Sequence, residues 1–133
     1  MIFAEASWQY RDANIMPGGW VARNRVTSRQ FPSTYFGAIS QHNQFRSYQS
    51  KLWNLSDDPL ALKGRNFPAF IKAINVALGV IGGTIGDPTH GAVYFNSFKT
   101  QTGWFKTNLE EGVIYPDNEV LGDVSPFHFF MQR

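Results

Sequence analysis

The hydrophobic positions of this chain are periodic in its middle third, where they form one face of a helix. The positions of that face are Phe70, Ile74, Ala77, Leu78 and Ile81. Their spacing of three and four residues predicts a helix over about 67–78. Asn66 is suited to its N-cap and Pro68 to its first turn, while Gly79 followed by Gly82-Gly83 is suited to its end.

Shorter helices are predicted in the rest of the first half. They cover about 1–8, about 17–28, and a segment from a cap at Ser33 or Thr34 to about Ser40. Residues 14–17 are predicted to form an entry turn to the second of these helices, because proline favours the first helical position.

The pattern changes in the second half to short alternating runs rich in strand formers. The predicted strands are 91–96, 112–115 and 127–131. Turns rich in Gly, Pro, Asn and Asp separate them. Helices first and strands later predict an α+β fold with a small antiparallel sheet in the second half.

Composition narrows the classes of protein that fit. A length of 133 residues with 43% hydrophobic and 17% charged positions suits one folded domain. The chain has no cysteine, which excludes thiolate catalysis and zinc–cysteine sites, and its three histidines lack metal-ligand spacing, so no metal or cofactor is expected. A net charge of +2 from scattered basic residues does not favour nucleic acid as a partner. No apolar run reaches the roughly 20 residues of a membrane span.

One carboxylate stands apart from the others in its sequence context. Most of the ten acidic residues lie in polar turns; Asp87 precedes Pro88 as a turn initiator, and Asp58 precedes Pro59 as a helix cap. Glu5 lies instead among apolar and aromatic neighbours such as Trp8. An apolar setting raises the pKa of a carboxyl group, and a protonated glutamate can donate its proton to a leaving group. The alternative is an exposed helix residue flanked by core neighbours.

Several short motifs carry a resemblance to a known family. In chain order they are Glu5-Ala6, Asn24-Arg25-Val26, Phe31-Pro32, Gln44-Phe45, the stretch 87–96 (DPTHGAVYFN), Trp104, Leu121-Gly122, and His128 with Phe130. In this order the chain is similar to the SleB-type cell wall hydrolases, the family of the spore cortex-lytic enzyme. It departs from the family pattern at residues 7–9, at His90 where the family has glycine, and in extra length at 123–127.

The resemblance implies a single catalytic domain over residues 1–133, folded like lysozyme and the lytic transglycosylases. It implies cleavage of peptidoglycan glycan strands between N-acetylmuramic acid and N-acetylglucosamine, with Glu5 as the essential acid. No second acid has a comparable apolar setting, so the N-acetyl group of the substrate is expected to assist, which gives 1,6-anhydromuramoyl ends. The alternatives are a muramidase that gives reducing ends, a non-catalytic peptidoglycan-binding module, and an unrelated nucleic-acid binder.

The matched motifs also suggest a substrate cleft. The predicted substrate-binding residues are Gln44, Thr89, His90, Tyr94, Asn96 and His128. Tyr94 and Asn96 share one face of a predicted strand, because alternate residues of a strand point the same way. Asn24 is expected to bond to a buried backbone group rather than to sugar. His128 is either a cleft residue or a buried structural histidine. Three tryptophans are each either a sugar platform or part of the core: Trp8, Trp53 and Trp104.

The place of action follows from the implied substrate, which lies in the periplasm or cell wall. The sequence as written shows no export signal, because Glu5 interrupts its apolar start. Delivery by a phage holin, a virion or a secretion system is therefore expected, for a phage lysin or a secreted antibacterial effector. A leader that is missing from the sequence as written is an equally consistent alternative.

Overall fold

The structure of the protein is a computed structural model that describes residue 2 and residues 12–41, 45, 48–64, 66–96, 101–116 and 128–133. The described elements are α1 (Asp12–Thr27), α2 (Tyr35–Ser40), α3 (Lys51–Leu55), a 3-10 helix (Pro59–Ala61), α4 (Asn66–Gly82), β1 (Tyr94–Asn96), α5 (Gly103–Glu110), β2 (Ile114–Pro116) and β3 (His128–Gln132). Helices fill the first half and a small sheet closes the second, so the α+β prediction is confirmed. Ile2 is helical, and the rest of the helix predicted over 1–8 lies outside the described residues.

Helix α1 begins earlier than its sequence suggests. The entry turn predicted at 14–17 is wrong, because these residues lie within the helix. The fixed φ angle of Pro17 fits a helix, and the proline removes only one backbone donor. Gly19 lies where α1 meets α4: a Cβ atom there would be 2.9 Å from Ile2 Cδ1 and 3.3 Å from Val80 Cγ2. The glycine therefore allows the close approach of the two helices.

Helix α2 is capped as predicted. The Thr34 backbone is extended, and its hydroxyl oxygen accepts a hydrogen bond from the Gly37 amide at 3.1 Å. This bond satisfies one of the free amides at the helix start. The cap fixes where the chain turns after α1.

Helix α4 runs past Gly79 and ends at Gly82, later than predicted. Gly79 is buried within it because the Ile85 side chain folds back over that position, where a Cβ atom would overlap it. Gly83 follows with φ +70°, a left-handed angle that favours glycine. The Arg23 guanidinium donates to the Val80 carbonyl oxygen, which ties the end of α4 to α1.

The three strands form an antiparallel sheet in the order β1-β3-β2. The pairs of β1 with β3 are Tyr94 with Phe130, Phe95 with Phe129, and Asn96 with His128. One sheet face joins the core: Phe129 and Met131 pack in one cluster with Val21, Ala22 and Phe45 of the helical half. On the other face the Phe130 ring lies 5.0 Å from that of Phe105 in α5. The three predicted strands are confirmed, with bounds that differ from the predicted ones by at most three residues.

No helix in the described ranges is long and apolar enough to span a bilayer.

Candidate functional site

The turn that leads into β1 is built on the carboxylate of Asp87. Its Oδ1 accepts hydrogen bonds from the Thr89 amide at 2.8 Å and the Thr89 hydroxyl at 2.6 Å. Its Oδ2 accepts from the Gly91 amide at 2.9 Å. An aspartate that bonds the backbone two residues on is a standard turn former, so the turn predicted at Asp87-Pro88 is confirmed.

Asn24 ties helix α1 to this turn. Its Nδ2 lies 3.0 Å from Asp87 Oδ2, 3.3 Å from Thr89 Oγ1 and 3.1 Å from the carbonyl oxygen of Ala92, a fully buried residue. The expected bond to a buried backbone group is confirmed. We call Asn24, Asp87 and Thr89 the turn lock, because each holds the others.

The turn lock keeps Asp87 ionised. Burial alone would raise the pKa of its carboxyl, but hydrogen bonds from Thr89, from Asn24 and from two backbone amides outweigh burial and lower the pKa below its ordinary 3.8. A carboxylate with a lowered pKa holds no proton at neutral pH. Asp87 is therefore not a general acid.

Arg25, the next residue of α1, is a buried cation. Its side chain is 2% exposed, and its Nε donates to the Val93 carbonyl oxygen at 2.6 Å. Its Cζ lies 5.0–5.2 Å from the ring centroids of Phe31, Phe45 and Tyr94, within cation–π range. Among the described residues its Nη1 has no hydrogen-bond partner. Burial lowers the pKa of Arg25 to about 10, against the opposing effect of Tyr94, so the guanidinium stays charged at neutral pH.

Tyr94 joins this cation to the outer face of the sheet. Its hydroxyl donates to Gln132 Oε1 at 3.1 Å, and its ring lies 4.9 Å from that of Trp104 and 6.5 Å from that of Phe105. Burial raises the pKa of Tyr94, while Arg25 acts in the opposite direction. The tyrosine is a neutral hydrogen-bonding group at physiological pH.

Asn96 and His128 are cross-strand partners on the same sheet face as Tyr94. The amides of Asn96 and Gln101 bond to each other, Nδ2 to Oε1 at 2.6 Å and Nε2 to Oδ1 at 3.2 Å. The His128 side chain is exposed, so the alternative of a buried structural histidine is wrong. The amide pair ties Gln101 to the end of β1, where Asn96 lies opposite this histidine.

Comparison with known families places the chain. The family model for the Cell Wall Hydrolase family matches residues 18–115, well over half of the chain. The chain belongs to this cell wall hydrolase family. No curated protein and no solved structure matches it.

Family membership assigns this cell wall hydrolase to the degradation of peptidoglycan. The matched segment contains the turn lock, Arg25 and Trp104. It contains neither Glu5 nor His128.

The predicted site residues of this cell wall hydrolase lie on one sheet face, on the turn before β1, or outside the described residues. The residues of the sheet face are Tyr94, Asn96 and His128. On the turn, Thr89 is fully buried with its hydroxyl bonded inside the turn lock. His90 is exposed on the turn with φ +49°, a left-handed angle that explains glycine at this position of the family pattern. The other predicted site residues, Glu5 and Gln44, lie outside the described residues.

The structural roles of two residues at the candidate site could not be predicted from the sequence. Arg25 was part of a motif, but nothing in its neighbourhood marks it as buried, and Gln101 belongs to no motif at all. Within the part of the chain that the structure describes, no group of three histidine, aspartate or glutamate side chains could hold a metal ion.

Proposed function

We propose that this cell wall hydrolase is a lytic transglycosylase that cleaves between N-acetylmuramic acid and N-acetylglucosamine, with Glu5 as its acid and base. The choice of Glu5 rests on the exposure and hydrogen bonding of the other carboxylates. Those with described side chains are Asp57, Asp58, Asp87, Glu110 and Glu111. All except Asp87 are exposed, and hydrogen bonds keep Asp87 ionised. None of them suits a proton donor, whereas the apolar sequence neighbours of Glu5 favour a protonated carboxyl.

The reaction needs one proton donor and help from the substrate. Protonated Glu5 donates to the glycosidic oxygen, and the bond from that oxygen to C1 of the muramoyl residue breaks. The N-acetyl oxygen of the same sugar stabilises the positive charge at C1. Ionised Glu5 then takes the proton of the 6-hydroxyl, and O6 bonds to C1. Glu5 ends protonated, no water is consumed, and the product has a 1,6-anhydro end.

A second carboxylate would be needed for the ordinary hydrolytic routes. Retaining and inverting glycosidases place their two carboxyl groups roughly 5–9.5 Å apart. Of the carboxylates with described side chains, four are exposed and Asp87 is hydrogen-bonded within its turn, so none has the setting of a partner acid. This supports the substrate-assisted route. A muramidase that uses water is the alternative for the same bond.

The remaining predicted residues would hold the sugar. Tyr94 and His128 carry a hydroxyl and an imidazole on one face, groups that hydrogen-bond to sugar hydroxyls and N-acetyl groups. Asn96 shares this face but is buried and bonded to Gln101, so it would contact the sugar only at its edge or position Gln101. Gln44 and the exposed His90 are proposed to add further contacts. The buried Thr89 would act by shaping the turn that carries His90.

We propose that residues 1–133 belong to one catalytic domain, because described residues from its first and last segments pack into the core. Ile2 packs against the cluster of Ala69 and Ala73, and β3 packs against α1 through Phe129 and Val21. The roles of phage lysin and secreted antibacterial effector stay predictions.

The test compares Glu5→Gln with a matched control on purified peptidoglycan sacculi. Glu5→Gln should lose at least about 100-fold in the rate of turbidity loss, since general acid catalysis contributes that much or more. Glu111→Gln, a change at an exposed carboxylate, should keep the wild-type rate. Sedimentation with sacculi should show that Glu5→Gln still binds. Cleavage by Glu5→Gln at the wild-type rate would remove Glu5 from the mechanism, and a wild-type protein that binds sacculi without cleaving them would favour the non-catalytic binding module.

A further inference from the structure

Trp104 is a large aromatic side chain left half in solvent beside the candidate site. Its side chain is 49% exposed, whereas Phe129 and Phe130 of the neighbouring strand are each 2% exposed. Two rings fix its orientation: Tyr94 lies 4.9 Å away at 52°, and Phe105 lies 5.2 Å away at 85°. The indole is therefore a rigid surface with one side available.

The backbone before Trp104 is shaped for this position. Gly103 has φ +53°, in the left-handed region, and no atom lies within 4 Å of where its Cβ would be. The glycine is thus required by the turn of the chain rather than by lack of space. This turn starts α5 at the point where its first side chain meets Tyr94.

Uncharged polar groups lie on the sheet face that Trp104 meets through Tyr94. Asn96 shares this face with Tyr94, and its amide is bonded to that of Gln101, two residues before α5. Among the cations with described side chains, Arg25 is buried behind Tyr94, and Lys106 is exposed and lies 3.7 Å from Glu110. An aromatic plane beside a face that carries hydroxyl and amide groups suits a ligand with one apolar face and polar substituents.

We propose that Trp104 is the stacking platform of a glycan subsite that takes an N-acetylated hexopyranose. The C–H groups on one face of such a sugar pack on the indole, while its hydroxyl and acetamido groups lie toward Tyr94 and the amide pair. The position of this subsite along the glycan strand rests on the proposed function. The kind of sugar that it binds does not. Nucleic-acid bases also stack on tryptophan. The family match that includes Trp104 favours a glycan, and the experiment below includes an oligonucleotide as the competing ligand.

The experiment measures binding in the Glu5→Gln background, where cleavage is removed. Calorimetry measures the affinity for two probes, a β-1,4-linked N-acetylglucosamine pentamer and a single-stranded oligothymidylate. Trp104→Ala should weaken pentamer affinity at least about tenfold, and Trp104→Phe, which keeps a ring, should weaken it less. The control is Trp53→Phe, since Trp53 packs on Tyr48 at 5.1 Å in the helical half and should leave affinity unchanged. The midpoint of thermal unfolding should stay near that of the parent for Trp104→Phe.

The outcomes separate this subsite from the proposed reaction. Trp104→Ala with unchanged pentamer affinity, or a parent protein that does not bind the pentamer, would overturn the subsite even if the wild-type protein cleaves sacculi. Loss of oligothymidylate binding instead of pentamer binding would assign the surface to nucleic acid. Pentamer binding that depends on Trp104 in a protein that never cleaves sacculi would support the subsite and refute the proposed reaction.

Discussion

Polar side chains have different tasks at the two ends of β1. Before the strand, Asn24, Asp87 and Thr89 bond to one another and to backbone, and Thr89 is fully buried. After it, Asn96 is also buried and bonded to Gln101, but its cross-strand partner His128 is exposed, and Trp104, which contacts Tyr94, is half exposed. The first group can hold the chain and the second can meet a ligand. One continuous motif, 87–96, therefore contains both a structural part and a part suited to binding.

This difference decides what a substitution should change. Removing one partner from a buried polar group leaves the other without a hydrogen bond, at a cost of about 1–3 kcal/mol in the free energy of unfolding. Changes around the turn lock and Arg25 should thus lower stability and leave the activity of each folded molecule nearly intact. Changes at the exposed face should lower glycan affinity and leave stability nearly intact.

The largest loss of stability is expected at Arg25. Arg25→Ala removes a large buried side chain from between three rings and leaves the Val93 carbonyl without its donor, at a cost of about 4 kcal/mol. Arg25→Met keeps most of the volume without the buried charge and should cost only about 1 kcal/mol. Urea unfolding measures both. Equal losses for the two variants would show that the cation itself, not its packing, stabilises this region.

The next largest loss of stability is expected at Asn24. Asn24→Asp places a second carboxylate against Asp87, where the amide nitrogen now lies 3.0 Å from Oδ2, and should cost about 3 kcal/mol. Asn24→Ala should cost about 2 kcal/mol, because it removes donors without adding charge. Urea unfolding at neutral pH tests the order. An Asn24→Asp variant as stable as the wild-type protein would contradict the turn lock.

Asp87 should make the free energy of unfolding depend on pH. Its pKa is lowered in the folded protein, so its ionised form stabilises the fold above the ordinary pKa of 3.8, and that contribution is lost as pH falls through the lower folded value. Asp87→Asn should cost about 1.5 kcal/mol at neutral pH, and the difference from wild type should shrink below pH 3.8. Unfolding at several pH values measures this, with the exposed Asp57→Asn as control. A difference that does not change with pH would refute the assigned role.

The smallest effect is expected at His90. The residue has a left-handed φ of +49°, which glycine adopts without strain. His90→Gly should raise the free energy of unfolding by about 0.5 kcal/mol, since the relief of strain exceeds the entropy that glycine adds to the unfolded chain. Thermal unfolding measures the shift, and His90→Ala, which keeps the strain, is the control. Destabilisation by His90→Gly would mean that contacts of the imidazole outweigh the strain.

Local chemistry in the sequence predicted much of the fold. The threonine cap of α2, the turn at Asp87 and the three strands depend on neighbouring residues, so pattern and spacing reveal them. The start of α1 is five residues earlier than predicted, because Pro17, which is typical of a first helical position, lies inside this helix. Helix α5 was not predicted, since a helix of eight residues with a glycine start has weak periodicity.

The candidate site was predictable only where residues share a strand. Tyr94 and Asn96 were placed together by the period of two, and their structure agrees. The contacts of Asn24 with Asp87 and of Arg25 with Tyr94 join distant parts of the chain, so no local pattern could pair them. The burial of Thr89 also depends on a contact between distant parts of the chain, because its hydroxyl lies against Asn24 of α1.

The most direct test of the central claim is mass spectrometry of the fragments released from purified sacculi by the wild-type protein. Our account predicts glycan fragments that end in a 1,6-anhydromuramoyl residue, one water lighter than the corresponding reducing ends. Reducing muramoyl ends would contradict transglycosylation and assign hydrolysis, while new N-acetylglucosamine reducing ends or cleaved stem peptides would contradict the proposed bond.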